Sequence, residues 1–400
     1  MTERPPTDKT TTGFSIKNIL TLVAVLLISK AVVFFGTVLI LADGDPAALG
    51  YLLSTQGLSS LLHSIGTSWD SVDYQSIAQT GYGLVKNSEL FAFSPVFPSL
   101  IYLLRFFTGS YVTASLLVPN VLSFVFPVIV LRLFGFRAAL LTETFPVYVV
   151  FTMVAYSDVL ALVFLGLGLL AFVRARYLVA GLSVAAAGLV FYDLLLVPLF
   201  LACWLGYDLA KKGALVGRAA KLLAALLLPA IVVGFSILAF YWSATDDPFT
   251  FFRLERGDWG VVPTNPAGQL YWILHGSGTG SFSSIVWNID GFLTTPAYWA
   301  GRNLVFEIFV FFGVYLLLRN RGPPLKWLFA GYSLVLSVPL LFFQGTPVYS
   351  IPRLLLPAFP VFFGYSKSLL SGRWRVASYL VVSLAAACWV LVSFIEGFFA

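Results

Sequence analysis

Two carboxylates three residues apart stand in a polar stretch between hydrophobic runs. The stretch reads Trp69-Asp70-Ser71-Val72-Asp73-Tyr74, then Ile77-Ala78 and Gly81-Tyr82. On a helix, positions i and i+3 share a face. Carboxylates held together raise the proton affinity of one of them, which can then act as a general base near neutral pH. The same spacing also suits a structural helix start, with Asp70 as N-cap and Asp73 in the first turn.

The other candidates are scattered. Lys30 sits near the middle of the first apolar run, where a charge is costly and usually functional. It can pair with an outer acid, bind a lipid phosphate or snorkel to the surface. Asp158 and Asp193 each open a later apolar run, where capping is an ordinary role. Arg256 and Trp259 stand in a polar segment; they can contact phosphate and sugar, or form part of an interfacial aromatic belt. His63 and His275 are too few for a zinc site, and Cys203 and Cys388 lie in apolar runs without a paired-cysteine motif.

The elements that must position these residues follow from composition. Hydrophobic residues make up 59% of the 400, charged residues 10%, and mean hydropathy is +0.91. Soluble domains carry about 25% charged residues. The chain therefore reads as all-α, a polytopic transmembrane helical bundle. Its net charge of +6 bears on topology, not on nucleic acid.

Residues 1–18 read as a disordered cytoplasmic tail and 19–400 as one transmembrane domain. An uncleaved first span is expected over 19–41. Further apolar runs fall at 112–134, 138–155, 158–174, 178–191, 193–208, 219–242, 303–318, 325–343, 351–366 and 375–396. Basic residues such as Arg174, Arg176, Lys211, Lys212, Arg319, Arg321, Lys367 and Arg373 fall in every second loop, which places those loops and the N-terminus inside. Nearly all the acids fall in the alternate, outer loops.

Residues 93–107, short and carrying two prolines, are expected to be interfacial or re-entrant. That gives about eleven to thirteen spans, eleven being preferred, with Arg132 and Arg137 inside. Two long outer loops, 42–111 and 243–302, remain. The leucines of 45–65 suggest a helix lying along the membrane surface.

The stretch Trp69-Asp70-x-x-Asp73-Tyr74-x-x-Ile77-Ala78-x-x-Gly81-Tyr82, followed by Phe93-Ser94-Pro95-Val96-Phe97-Pro98, resembles the phosphatidylinositol-glycan class V family. That family comprises GPI mannosyltransferases and prokaryotic relatives within the GT-C superfamily of lipid-phosphate-sugar glycosyltransferases. Tyr156-Ser157-Asp158, Asp247-Pro248-Phe249 with Arg256 and Trp259, and Pro352-Arg353 with Pro357-Ala358-Phe359-Pro360 are similar to further family elements in the same order. There are departures: Asp73 stands where the family has His or an aromatic, Arg256 where it has Gln, and Tyr192-Asp193 where it has a glycine-containing pair.

The resemblance implies a GT-C-like fold and an inverting sugar transfer from a polyprenyl (dolichyl) phosphate donor to a glycolipid or glycan acceptor. It makes Asp70 the base, with Asp73 beside it, and Arg353, Lys30 and Arg256 the cations for the donor phosphate. Trp69, Tyr74, Tyr82, Asp158 and Trp259 become substrate contacts. Mannose is the expected sugar. No metal or other cofactor is expected, because the donor has no diphosphate to chelate.

The expected setting is a multi-pass protein of a prokaryotic or archaeal cell membrane, the endoplasmic reticulum being the alternative, with the site on the outer face among membrane lipids. The rival class is a secondary transporter or a flippase of lipid-linked sugars, which would place its ionisable residues at mid-membrane.

Overall fold

Ser15 accepts the Asn18 N–H on its hydroxyl and starts a 26-residue helix, α1 (Ile16–Leu41), so the first span begins earlier than hydropathy indicated. The computed structural model describes residues 15–83, 89–257, 262–263, 265, 296–319, 325–344, 351–368 and 372–396. The tail before residue 15 therefore lies outside the described residues.

Among the described residues, five helices are long and apolar enough to cross a membrane: α1, Tyr111–Phe134, Tyr192–Lys211, Val216–Thr245 and Arg373–Ile395. Such a set fits a multi-pass membrane protein. The described residues are almost wholly helical. Their one strand pair is Val262–Pro263 against Phe343–Gln344, antiparallel.

The expected surface helix over 45–65 is two helices. Asp45 caps α2 (Pro46–Leu52) by accepting the Ala47 N–H, and Ser54 caps α3 (Thr55–Thr67) by accepting the Gly57 N–H. A leucine stripe cannot reveal that break, because cap geometry interrupts the backbone without interrupting the pattern. Next come α4 (Asp70–Thr80), a 3-10 turn at Glu89–Ala92 and α5 (Val96–Thr108).

Both flanks of α5 are tied to neighbouring helices. Just before it, the Ser94 hydroxyl donates to the Leu189 carbonyl near the end of α10 (Tyr177–Val190). After it, Gly109, with φ +73°, turns the chain into α6 (Tyr111–Phe134), whose Ser115 meets Gln75 of α4. The apolar stretch 93–107 thus holds a single 13-residue helix packed against α4 and α6.

Between α6 and α9 (Asp158–Val173) the apolar run 138–155 is broken into α7 (Phe136–Glu143), α8 (Pro146–Phe151) and an irregular segment to Ser157. Lys30 of α1 reaches this break. Its ammonium donates to Thr152 O at 3.2 Å, Asn120 Oδ1 at 2.8 Å and Ser123 Oγ at 3.0 Å. A cation at the end of α8 meets carbonyls that the helix leaves unsatisfied.

A 3-10 turn at Tyr192–Leu195 leads into α11 (Leu196–Lys211), followed by α12 (Val216–Thr245) and α13 (Thr250–Gly257). The remainder comprises α14 (Pro296–Arg319), α15 (Lys326–Ser337), α16 (Ile351–Leu354), a 3-10 turn at Leu356–Ala358, α17 (Val361–Ser368) and α18 (Arg373–Glu396). α14 and α17 approach backbone to backbone, since a Cβ on Gly364 would lie 2.5 Å from Gly313 O. One continuous apolar core extends from Leu22 to Phe394.

Candidate functional site

The site is assembled where α4, the start of α9 and α16 converge. Trp69 occupies the N-cap of α4 with no side-chain cap, at φ +56° and ψ −138°, a backbone region that side chains seldom adopt. Its indole N–H donates to Phe394 O of α18 at 3.0 Å. Asp70 is therefore the first helical residue and not the cap, and Asp73 lies in the same turn.

Asp70 Oδ2 accepts from Arg353 Nη1 at 2.8 Å. The same nitrogen lies 3.9 Å from Asp158 Oδ2. These side chains are only 12%, 13% and 4% exposed, respectively. The Arg353 guanidinium also stacks 4.9 Å from the centre of the Tyr156 ring, a cation–π contact. The Tyr156 hydroxyl accepts the Asp70 N–H at 3.2 Å. Tyr74, buried, shares a hydrogen bond with Ser157 Oγ at 3.0 Å and packs edge-on against Phe93, Phe97 and Tyr156.

Burial, then the charges of Asp70 and Glu89, push the Asp73 carboxyl up to about 6. Burial and the neighbouring Asp193 push Glu255 of α13 up to about 7, with Arg353 opposing and Asp70 reinforcing. The site thus sets several carboxylates around one buried guanidinium. Beneath Arg353 a recess of about 10 Å³ is lined by Asp158, Asp193, Leu162, Leu194 and Pro357, among others.

The structure brings Asp70, Asp158 and Arg353 together, with Trp69 and Tyr74 as their frame. Asp73 lies three residues along in the same turn, outside the ion pair. Tyr82 is turned elsewhere: its hydroxyl donates to Phe93 O at 2.7 Å and its ring stacks on Phe91. Lys30 is held by neutral acceptors and not by an acid. Arg256 is exposed in the last turn of α13. Trp259 lies outside the described residues. Asp247, the start of another family-like element, accepts the Phe249 N–H and pairs with Arg253 at 3.2 Å, fixing the entry to α13.

The triplet Asp43-Gly44-Asp45 has the Asp-x-Asp spacing of nucleotide-sugar enzymes, but it forms the turn between α1 and α2, with Asp45 spent on its cap. Among the described residues no three His, Cys, Asp or Glu side chains converge as metal ligands.

Two contributors escaped the sequence reading, Tyr156 as the surface under Arg353 and Glu255, while Asp193, weighed there as a cap, is a wall of the recess. Asp158 and Asp193 both open apolar runs from the acidic side, and that shared end was the available signal. No family model and no curated protein matches the chain.

Proposed function

We propose that this protein is a polyprenyl-phosphate-sugar-dependent glycosyltransferase of GT-C type, with the Asp70 end of the bundle facing outward. The observation that carries this reading is the buried contact of Asp70 with Arg353 at 2.8 Å, with Asp158 alongside. It puts a proton acceptor and a phosphate-binding cation at one point beside an apolar bundle.

Eleven spans follow if α7 with α8, and α16 with α17, each count as one broken crossing. Arg132, Arg174, Arg176, Lys211, Lys212, Arg319 and Lys367 then fall at the end away from Asp70, in keeping with a cytoplasmic location.

In the reaction the donor phosphate competes with Asp70 for Arg353 and releases the carboxylate. Asp70 takes the proton of the acceptor hydroxyl as its oxygen attacks the anomeric carbon from the face opposite the phosphate. The anomeric C–O bond breaks, its electron pair leaves on the polyprenyl phosphate, and Arg353 balances the charge. The configuration inverts. Mannose and a glycolipid or glycan acceptor are the substrates suggested by the family-like motifs.

The test is incubation of purified protein with radiolabelled dolichyl-phosphate mannose and membrane lipids. Transfer to lipid that disappears in Asp70→Asn supports the assignment; transfer that persists in that variant overturns it.

A transporter or flippase reading has one observation in its favour. Lys30 and Glu143 are ionisable groups inside the bundle, and neither Glu143 carboxylate oxygen has a hydrogen-bond partner. Protein-dependent movement of lipid-linked sugar across vesicles without any transfer would establish that reading instead.

A further inference from the structure

Two polar atoms of the site have no hydrogen-bond partner, one a donor and the other an acceptor. They are Arg353 Nε and Asp158 Oδ2. Both residues line the recess between the start of α9, the 3-10 turn at Tyr192–Leu195 and the α16 segment. Asp158 is 4% exposed, so water outside does not satisfy it. Leaving buried groups unpaired is costly, and such pairs mark the place of a ligand or an ordered water.

The chemistry of the two atoms restricts the occupant. A metal cation would suit the carboxylate oxygen but lie against a guanidinium. A phosphate oxygen would accept from Arg353 Nε but give Asp158 no donor, and would add negative charge beside it. A hydroxyl serves both, accepting from Nε and donating to Oδ2. The space of about 10 Å³ holds one oxygen and not a sugar ring. Leu162, Leu194 and Pro357 close the apolar sides.

Resting on the glycosyltransferase reading, we infer that this recess is a hydroxyl subsite for the donor sugar, with Asp158 and Arg353 gripping the hydroxyl on carbon 2. One edge of the guanidinium already meets Asp70 through Nη1, where the donor phosphate exchanges in. The sugar hydroxyl nearest an anomeric phosphate is that on the carbon next to the anomeric centre, so with the phosphate on the η edge it is the hydroxyl best placed to reach Nε. Asp158 is then a specificity-determining residue, reading the presence and configuration of that hydroxyl.

The experiment compares polyprenyl-phosphate mannose with its 2-deoxy counterpart as donors for the purified full-length protein and for Asp158→Ala. Wild type should favour the natural donor by on the order of 100-fold in kcat/KM, because the 2-deoxy donor leaves both polar atoms unpaired. In Asp158→Ala the ratio should fall towards one, through a larger loss on the natural donor. If that variant does not fold, Asp158→Asn gives the same internal ratio. Equal use of both donors by wild type, or an unchanged ratio in the variant, overturns the inference and leaves an ordered water as the occupant. No transfer from either donor refutes the glycosyltransferase reading itself, and the inference with it.

Discussion

Asp70 and Arg353 are 283 positions apart in the chain and 2.8 Å apart in space, so the proposed base and the proposed phosphate anchor are each other's partner before substrate arrives. A carboxylate held by a guanidinium is not free to meet an acceptor hydroxyl. Donor phosphate therefore has two effects: it fills the anchor, and it frees the base. Asp70→Asn should lower the transfer rate about 10²–10⁴-fold, the range for loss of a general base. Donor affinity should hold or rise, because Arg353 no longer has a competing anion. A rate assay beside direct donor-binding titration checks both, and a parallel loss of donor binding would contradict the competition.

Arg353 carries more structure than its neighbours. Replacement by Met leaves Asp70 and Asp158 facing one another unpaired, at a cost of roughly 3–5 kcal/mol for a broken buried pair. Thermal unfolding of the variant should shift down, and adding Asp70→Asn to it should restore part of the loss. Arg353→Lys should also be impaired, because an ammonium cannot meet Asp70 while lying flat on Tyr156. Full stability in Arg353→Met would count against the pair.

The Asp73 carboxyl, pushed up to about 6 by burial and by Asp70 and Glu89, is neutral below that pH and charged above it. Its negative charge, three residues from Asp70, favours the positive charge that develops on the acceptor oxygen as it attacks. The acid limb of the transfer rate should therefore rise through about pH 6. Asp73→Asn should flatten that limb, with a reduced rate at neutral pH. An unchanged limb in the variant would assign it to another group; Glu255, pushed up to about 7 by burial and by Asp193, is the next candidate.

Lys30 holds the broken run between α6 and α9 through Thr152 O, upstream of Tyr156, Ser157 and Asp158. Lys30→Met should lower the melting temperature, since Asn120 Oδ1 and Thr152 O lose their shared donor. Measured donor KM should change less than kcat, because a displaced Asp158 and Tyr156 misplace the reacting atoms. A selective rise in KM would instead support phosphate binding by Lys30.

What was legible in the sequence was position along the helices. Hydropathy located α1, α6 and α12, and charge segregation put Asp70, Asp158 and Arg353 at one end. Azimuth was not legible. Nothing in the run around Lys30 says that it faces Asn120 and Ser123, because neutral partners leave no charge signature. The breaks at Thr144 and Thr152 were hidden for a related reason: the segment stays apolar while side chains from other helices, such as Ser383 on Thr144 O, replace the missing helical bonds. The capping alternative for Asp70 failed for a local reason, since Trp69 takes the cap position and is held there by α18.

Many of the ties between segments far apart in the chain end on main-chain carbonyls: Trp69 on Phe394, Tyr241 on Phe91, Tyr365 on Phe309 and Tyr379 on Leu141. Only the donor's identity matters in such a bond, because every residue type offers the same carbonyl. The bond itself therefore leaves the receiving side chain unspecified, and burial in the core is what constrains Phe91, Leu141 and Phe394. Substitution of one of these tyrosines or the tryptophan would thus cut a tie between segments far apart in the chain, while the acceptor side of the same tie tolerates any residue that fills its space.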